Sequence, residues 1–192
     1  TVVNIVEVGL GGRLDATNAT TPAICAVVSV DFDHEHILGN TLEKIAYEKV
    51  SIVREKTPFF WGQNPKIHPQ LTTWATKFIN EHKGHGFYRS KHFGRDTQSI
   101  FYNDFEKCKI KVKLPTNCLH IPDILQDNLA LASSLYIKWF LLFRPKIPHL
   151  TIQSKLNFIL DQWKKSDLLR LENADFIYGK YVIAVSSTSY SP

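Results

Sequence analysis

Two short, almost continuously apolar runs, each cut off by polar or glycine residues, most restrict what this chain can fold into. The first, Thr1 to Val8, is rich in β-branched residues and stops at Gly9-Leu10-Gly11-Gly12. The second, Ala23 to Val30, stops at Asp31-Phe32-Asp33-His34. Apolar and polar residues do not alternate in these runs, so neither has a wet face. That pattern predicts strands of a parallel sheet covered on both sides, the first leading into a tight glycine loop.

The remaining segments predict an α/β body with an addition. Asn40-Thr41-Leu42-Glu43 reads as a helix start, with Asn40 as the cap and Glu43 returning the bond. The helix is expected to run to about Glu55, with Ile45, Ala46, Val50 and Val53 on one side. Pro58–Trp61 reads as a strand and 67–82 as a helix. A strand-rich stretch follows over roughly 86–115, expected as a small antiparallel sheet. Alternation is clearest from Cys108 to Leu114. Residues 123–143 predict a strongly apolar helix and 151–164 a shorter amphipathic one. Asp175–Tyr178 and Tyr181–Val185 predict a hairpin turning at Gly179-Lys180.

Composition excludes several classes. The chain is 44% hydrophobic and 21% charged, a globular balance. No apolar run approaches membrane-spanning length and no secretory signal opens the sequence. The net charge of +5 is scattered rather than striped, which argues against nucleic acid and allows a mild attraction for anionic small molecules. Three cysteines with no CxxC pair point to a reducing compartment, cytosol or mitochondrial matrix. The sequence contains no methionine and opens inside a strand, so an internal piece of a longer protein is expected.

The chemistry concentrates at the ends of the two apolar runs. In open parallel sheets, ligands sit beyond the carboxyl ends of the strands. Glu7 and His34 both fall there and would offer one oxygen and one nitrogen to a divalent cation. Mg²⁺ beside phosphates takes few protein ligands. A single histidine after a strand is by itself more often an ordinary loop residue. A carboxylate ending an apolar strand is costly unless paired. The glycines permit close backbone approach to a ligand, but no Gly-Lys-Ser/Thr follows them, so they are not a Walker loop.

The contiguous run Glu7-Val8-Gly9-Leu10-Gly11-Gly12-Arg13-Leu14-Asp15-Ala16-Thr17-Asn18 resembles the signature of the folylpolyglutamate and dihydrofolate synthases, ATP-dependent ligases of the Mur-ligase type. Asp33-His34, with Leu38-Gly39-Asn40-Thr41-Leu42-Glu43-Lys44-Ile45-Ala46-Tyr47-Glu48-Lys49, is similar to that family's second segment. Pro58, Gly62, Gln126, Asn128-Leu129-Ala130-Leu131-Ala132 and Arg170-Leu171-Glu172 resemble later ones. The similarity is dense in the first third of the chain.

The resemblance implies an α/β Mur-ligase-type central domain, mostly parallel sheet flanked by helices with a small antiparallel sheet. Residues 1–166 would be part of that ATP-binding domain, and 167–192 the start of a C-terminal one. It further implies that Glu7 and His34 bind magnesium, and that Leu14, Asp15 and Ala16 contact the pterin or folate. Lys49 would be the carbamylated catalytic lysine, and Asn128 and Arg170 would contact nucleotide. Without the resemblance, Lys49 reads as a solvated helix lysine and Arg170 as a surface arginine.

The implied cofactors are ATP and Mg²⁺. The implied partners are folate or dihydropteroate and L-glutamate, acting on a monomer in the cytoplasm, the mitochondrion or both, with neither nucleic acid nor membrane. Three places depart from the family pattern. Val50-Ser51-Ile52 replaces Ala-Gly-Ile, Leu169 replaces the glycine before Arg170, and Ser187–Pro192 retains little of the family's closing motif. These departures keep a non-catalytic relative open as the alternative. The 192-residue chain alone is expected to lack ligase activity.

Overall fold

The computed structural model describes residues 3–104 and 108–162 and, for the backbone, 181–186. In chain order the elements are β1 (Val3–Glu7), β2 (Ile24–Val27), α1 (Glu35–Leu38), α2 (Leu42–Val50), β3 (Pro58–Trp61), α3 (Pro69–Glu81), β4 (His85–Tyr88), β5 (Phe93–Arg95), β6 (Ser99–Asp104), β7 (Cys108–Lys113), α4 (Thr116–Leu119), α5 (Asp123–Phe143), α6 (His149–Gln162) and β8 (Tyr181–Ser186). They form two compact units. One runs to Arg89 and includes β8, and the other begins at Ser90. Among the described residues, no helix is long and apolar enough to cross a membrane.

The first unit is a five-stranded sheet in the order β1-β8-β2-β3-β4, with every pairing parallel. All four residues of β2 and all four of β3 are buried, which is what their unbroken apolar sequences require, whereas β1, at the edge of the described sheet, has Ile5 73% exposed and is not covered on both faces as its sequence predicts. Cys25 and Val27 of β2, with Phe59 and Trp61 of β3, pack against Ile45 of α2 and Ala75 of α3 in one core cluster. Phe60 stacks on Phe87 of β4, ring centroids 4.8 Å apart.

The helix from Asn40 is shorter than its sequence suggests. Thr41, not Asn40, is the cap, and its hydroxyl accepts from the Lys44 amide. Asn40 Oδ1 instead accepts from the Lys44 ammonium. With the cap at Thr41 the third helical position is Lys44, so Glu43 does not stand where a capping-box acid must. After Val50 the Ser51 hydroxyl bonds back to the Tyr47 carbonyl and the helix ends. Ile45, Ala46, Val50 and Val53 are all buried, as their spacing predicts.

One strand pairing differs from expectation. The sequence assigns most of His85–Tyr88 to the antiparallel stretch, but this strand pairs in parallel with β3. Helix α3 carries the chain back along the sheet, so the next strand must run the same way as the last. The hairpin expected around Gly179-Lys180 is described only in its second strand: from Ile183 to Val185, β8 pairs in parallel with both β1 and β2. Residues 175–180 lie outside the described residues. So do 163–164, the expected end of the last helix, which reaches Gln162. Of the stretch 167–192, expected as the start of a further domain, the described part is β8, in the parallel sheet.

The second unit holds the antiparallel sheet β5-β6-β7. Cys108, Ile110 and Val112 of β7 are buried while Lys109, Lys111 and Lys113 are exposed, the alternation visible in the sequence. Arg95 of β5 binds Asp123, Gln126 and Asp127 at the start of α5. Gln126 also donates to the Ile121 carbonyl at 2.9 Å. Deeper in, Lys138 of α5 is 1% exposed and its ammonium lies 2.8 Å from the carboxylate of Asp104, itself 6% exposed.

Removing one member of such a pair strands the other charge. Lys138→Ala is expected to cost about 3–5 kcal/mol in urea unfolding, and joint replacement by Lys138→Met and Asp104→Leu to recover most of it.

Candidate functional site

The site lies at the carboxyl end of the parallel sheet. Glu7 closes β1, and Glu7 and Ala26 are both level with Val185 of β8, so β1 and β2 end side by side. The chain leaving β2 is held when the Val30 amide donates to Gln63 Oε1 at 2.7 Å. It then reaches Asp33 and His34. His34 adopts the left-handed conformation, φ 50°, and starts α1. A cleft of about 110 Å³ is lined by Glu7, Gly9, Gly11, Asp33, His34 and Lys49, among others.

The glycine loop is built against the end of α2. The Arg13 amide donates to the Glu48 carbonyl at 2.8 Å. The Arg13 guanidinium forks onto the Glu48 carboxylate, Nε and Nη2 each within 3.1 Å of an oxygen. Two glycines make this approach possible. A Cβ on Gly12 (φ 155°) would lie 2.8 Å from Ile52 Cγ2 and 3.0 Å from the Glu48 carbonyl. One on Gly11 (φ 65°) would lie 2.9 Å from Leu38 Cδ2. The far end of the loop is fixed by Arg54, which donates to both the carbonyl and the side-chain oxygen of Asn18.

Asp15 organises the loop from within. Its Oδ2 accepts from the amides of Gly9 and Leu10, each at 3.1 Å, and its Oδ1 from the amide and hydroxyl of Thr17. These bonds, that of the Thr17 hydroxyl foremost, hold the carboxyl below the usual carboxylate range. Its neighbour Leu14 is 79% exposed and Ala16 is also exposed, so these two present the loop's outer surface.

Lys49, on the last turn of α2, is 2% exposed. Burial pushes its ammonium below the ordinary value, and the charge of Asp33 partly opposes that. The Nε2 of His34 lies 3.5 Å from Asp33 Oδ1. Asp33 is the residue that sequence reasoning passes over, although it adjoins His34 in the same segment. Among the described residues, no three His, Cys, Asp or Glu side chains are arranged to hold a metal ion. Glu7, Asp33 and His34 therefore do not form a closed cage. An open donor set of this kind fits magnesium, which keeps water and phosphate in most of its positions.

Sequence reasoning places Glu7, His34 and Lys49 in one site, and all three line the same cleft. Asn128 belongs to the second unit, exposed on α5 beside the Arg95-bound Asp127. Arg170 lies outside the described residues.

The fold resembles that of folylpolyglutamate synthases of known structure. The apo form of L. casei FPGS matches with a TM-score of 0.56 at 21% identity, over 79% of this chain and 37% of that one. E. coli FolC in complex with DHPP and ADP matches with a TM-score of 0.52 at 23% identity, over 78% of this chain and 33% of that one.

Sequence comparison points the same way over a shorter stretch. A dihydrofolate synthase/folylpolyglutamate synthase of Haemophilus influenzae is 51% identical over 75 residues, 39% of this chain and 17% of the relative. The dihydrofolate synthetase of Saccharomyces cerevisiae is 50% identical over 58 residues, 29% of this chain and 14% of the relative. The matched stretch thus spans less than a fifth of either relative's length. No family model matches. Over that stretch the chain is similar to the folylpolyglutamate and dihydrofolate synthases.

Two pH dependences follow from this geometry. The lowered Asp15 pKa contributes stability above the unfolded value, near 3.9, that is lost as pH falls through the folded value. Asp15→Asn is therefore expected to unfold at lower urea than the parent at pH 7, with the gap closing toward pH 2. Lys49 has the opposite effect. Its depressed pKa costs stability at pH 7, and the cost fades as pH rises through the folded value and is gone above the unfolded value near 10.4. In CO₂-free buffer, Lys49→Met is expected to raise the urea midpoint at pH 7 and to match the parent above pH 11.

Proposed function

We propose that this chain carries the metal-and-folate edge of an ATP-dependent ligase that joins L-glutamate to a folate or to dihydropteroate. The observation that carries the reading is Lys49, a lysine 2% exposed in a cleft shared with Glu7, Asp33 and His34. A buried lysine beside carboxylates is costly, and such groups concentrate where chemistry needs them. Burial also favours the free amine. The ammonium gives up one proton to become that amine, which adds CO₂ and releases a second, so a cation is replaced by a carbamate with an anionic oxygen donor in the cleft.

In the reaction, the substrate carboxylate attacks the γ-phosphorus of ATP, forming an acyl phosphate and releasing ADP. The glutamate amine then attacks the acyl carbon, and phosphate leaves as the amide forms. ATP and magnesium are the cofactors. Glu7, His34 and carbamylated Lys49 would hold the magnesium, which supplies charge neutralisation at the phosphates when bound. Asp33 lies beside His34, its Oδ1 3.5 Å from the ring's Nε2, and adds a further carboxylate to the cleft. Leu14 and Ala16 offer an exposed apolar edge to the pterin, on a loop whose shape Asp15 maintains. Asn128 and Arg170 are assigned to nucleotide. Structures sharing the fold include FPGS with AMPPCP and FPGS with AMPPCP and folate, which supports these ligand classes. A mitochondrial human synthase is among the relatives, 43% identical over 63 residues, consistent with action in cytosol or mitochondrion. The chain is assigned as a monomer.

The reading is tested on the chain itself with ¹³C-bicarbonate and Mn²⁺. A carbamate carbon signal that disappears in Lys49→Ala is expected, as is Mn²⁺ binding weakened about tenfold or more by Glu7→Gln or His34→Ala. Absence of both signals in the parent chain overturns it. Purified chain given ATP, glutamate and either tetrahydrofolate or dihydropteroate is expected to form no product. The protein that contains this segment is expected to form product with one of the two, and a non-catalytic relative would form none.

A further inference from the structure

We propose that Arg13 and Tyr47 are positioning residues that together fix where Lys49 stands in the cleft. The inference rests on the reading of Lys49 given above and extends it to residues outside the cleft lining. Lys49 is the residue after Glu48, and Glu48 is held three ways: its carbonyl by the Arg13 amide, its carboxylate by the Arg13 fork, and its backbone by close approach of Gly12. The same loop lines the cleft through Gly9 and Gly11. One arginine thus joins the backbone carrying Lys49 to a loop that lines the same cleft.

Arg13 is itself held from behind. Its guanidinium carbon lies 5.5 Å from the centroid of the Tyr47 ring. Tyr47 meets Phe78 of α3 edge-on, centroids 5.8 Å apart and planes at 88°. Phe78 in turn is stacked by Trp74 at 5.4 Å and by His82 at 4.1 Å. A row of rings therefore runs from α3 to the arginine, and the arginine runs to the helix end that bears Lys49.

The Arg13 and Glu48 side chains are 38% and 18% exposed, and Tyr47 is 42% exposed. Half-exposed ion pairs contribute modestly to folding, two-bond arginine forks more than most, so some stability accompanies the positioning effect. The fork is a geometric device because arginine binds a carboxylate in one plane with two bonds, which a lysine cannot do.

The test compares Arg13→Lys, Arg13→Gln, Glu48→Gln, Tyr47→Leu and Tyr47→Phe with the parent chain. Three readouts are used: accessibility of Lys49 to reductive ¹³C-methylation, the Lys49 carbamate signal, and Mn²⁺ affinity. Lys138, buried in the other unit, is the internal control for global loosening. Arg13→Lys, Arg13→Gln, Glu48→Gln and Tyr47→Leu are expected to expose Lys49 several-fold, leave Lys138 protected, and weaken Mn²⁺ about tenfold. Tyr47→Phe keeps the ring and is expected to behave as the parent. Arg13→Gln with Glu48→Gln is expected to be no worse than either alone, since both break one contact.

The inference is overturned if Lys49 stays as protected in Arg13→Lys and Tyr47→Leu as in the parent, or if Lys138 is exposed in parallel with it. The two failures separate cleanly. A parent chain with neither carbamate nor bound Mn²⁺ removes the catalytic reading, while methylation still reports whether Arg13 and Tyr47 position Lys49.

Discussion

The hydrogen bond from the Arg13 amide to the Glu48 carbonyl is the contact on which the candidate site depends. It brings a loop leaving one strand against the end of a helix that follows another. The distance of 2.8 Å is available because Gly11 and Gly12 carry no side chain where Leu38, Ile52 and the helix carbonyls already stand. Once that contact exists, Lys49 is enclosed and Glu7 faces the same small volume as Asp33 and His34. The sheet supplies the strand ends, and this one seam turns strand ends into a cleft.

The twelve residues from Glu7 to Asn18 divide their labour unevenly. Most of them work on the loop itself. Asp15 gathers four donors from its own neighbours, Arg13 grips the helix, and Asn18 receives Arg54. Outside this network Glu7 lines the cleft, and Leu14 and Ala16 lie on the outer surface. A long contiguous motif can thus spend most of its side chains on its own shape. The polar residues of the motif are what allow an otherwise glycine-rich segment to hold one shape, because each loop amide they satisfy is one fewer reason to fray.

The legible parts of the chain are those set by local pattern. Pro58–Trp61 begins and ends where its sequence says, and Cys108 to Lys113 shows its alternation in its burial. The nearness of Glu7 and His34 is legible because each follows the end of an apolar run, and Lys49 joins them in the cleft by way of the resemblance alone. The cap at Thr41 is not, because Asn40 and Thr41 are both good caps, and the choice turns on where the Lys44 side chain goes. The parallel pairing of His85–Tyr88 and the neighbours of Tyr181–Ser186 depend on partners far away in sequence, which composition and period do not encode. The Arg13–Glu48 fork is invisible for the same reason, since nothing in either residue names the other. The burial of Lys49 belongs here too, because a lysine on an amphipathic helix carries no local mark of being enclosed.

The place of β8 in the sheet has a consequence for how the site comes into being. In the strand order β1-β8-β2, the first strand does not touch the second, and residues 3–7 enter the sheet by pairing with residues 181–186. A chain made from its amino end outward therefore displays β1, and the root of the glycine loop behind it, long before their partner strand exists. Closing so long a loop is slow and depends on everything between. The second unit, from Ser90 onward, lies within that interval. The cleft is thus assembled late from early-made parts.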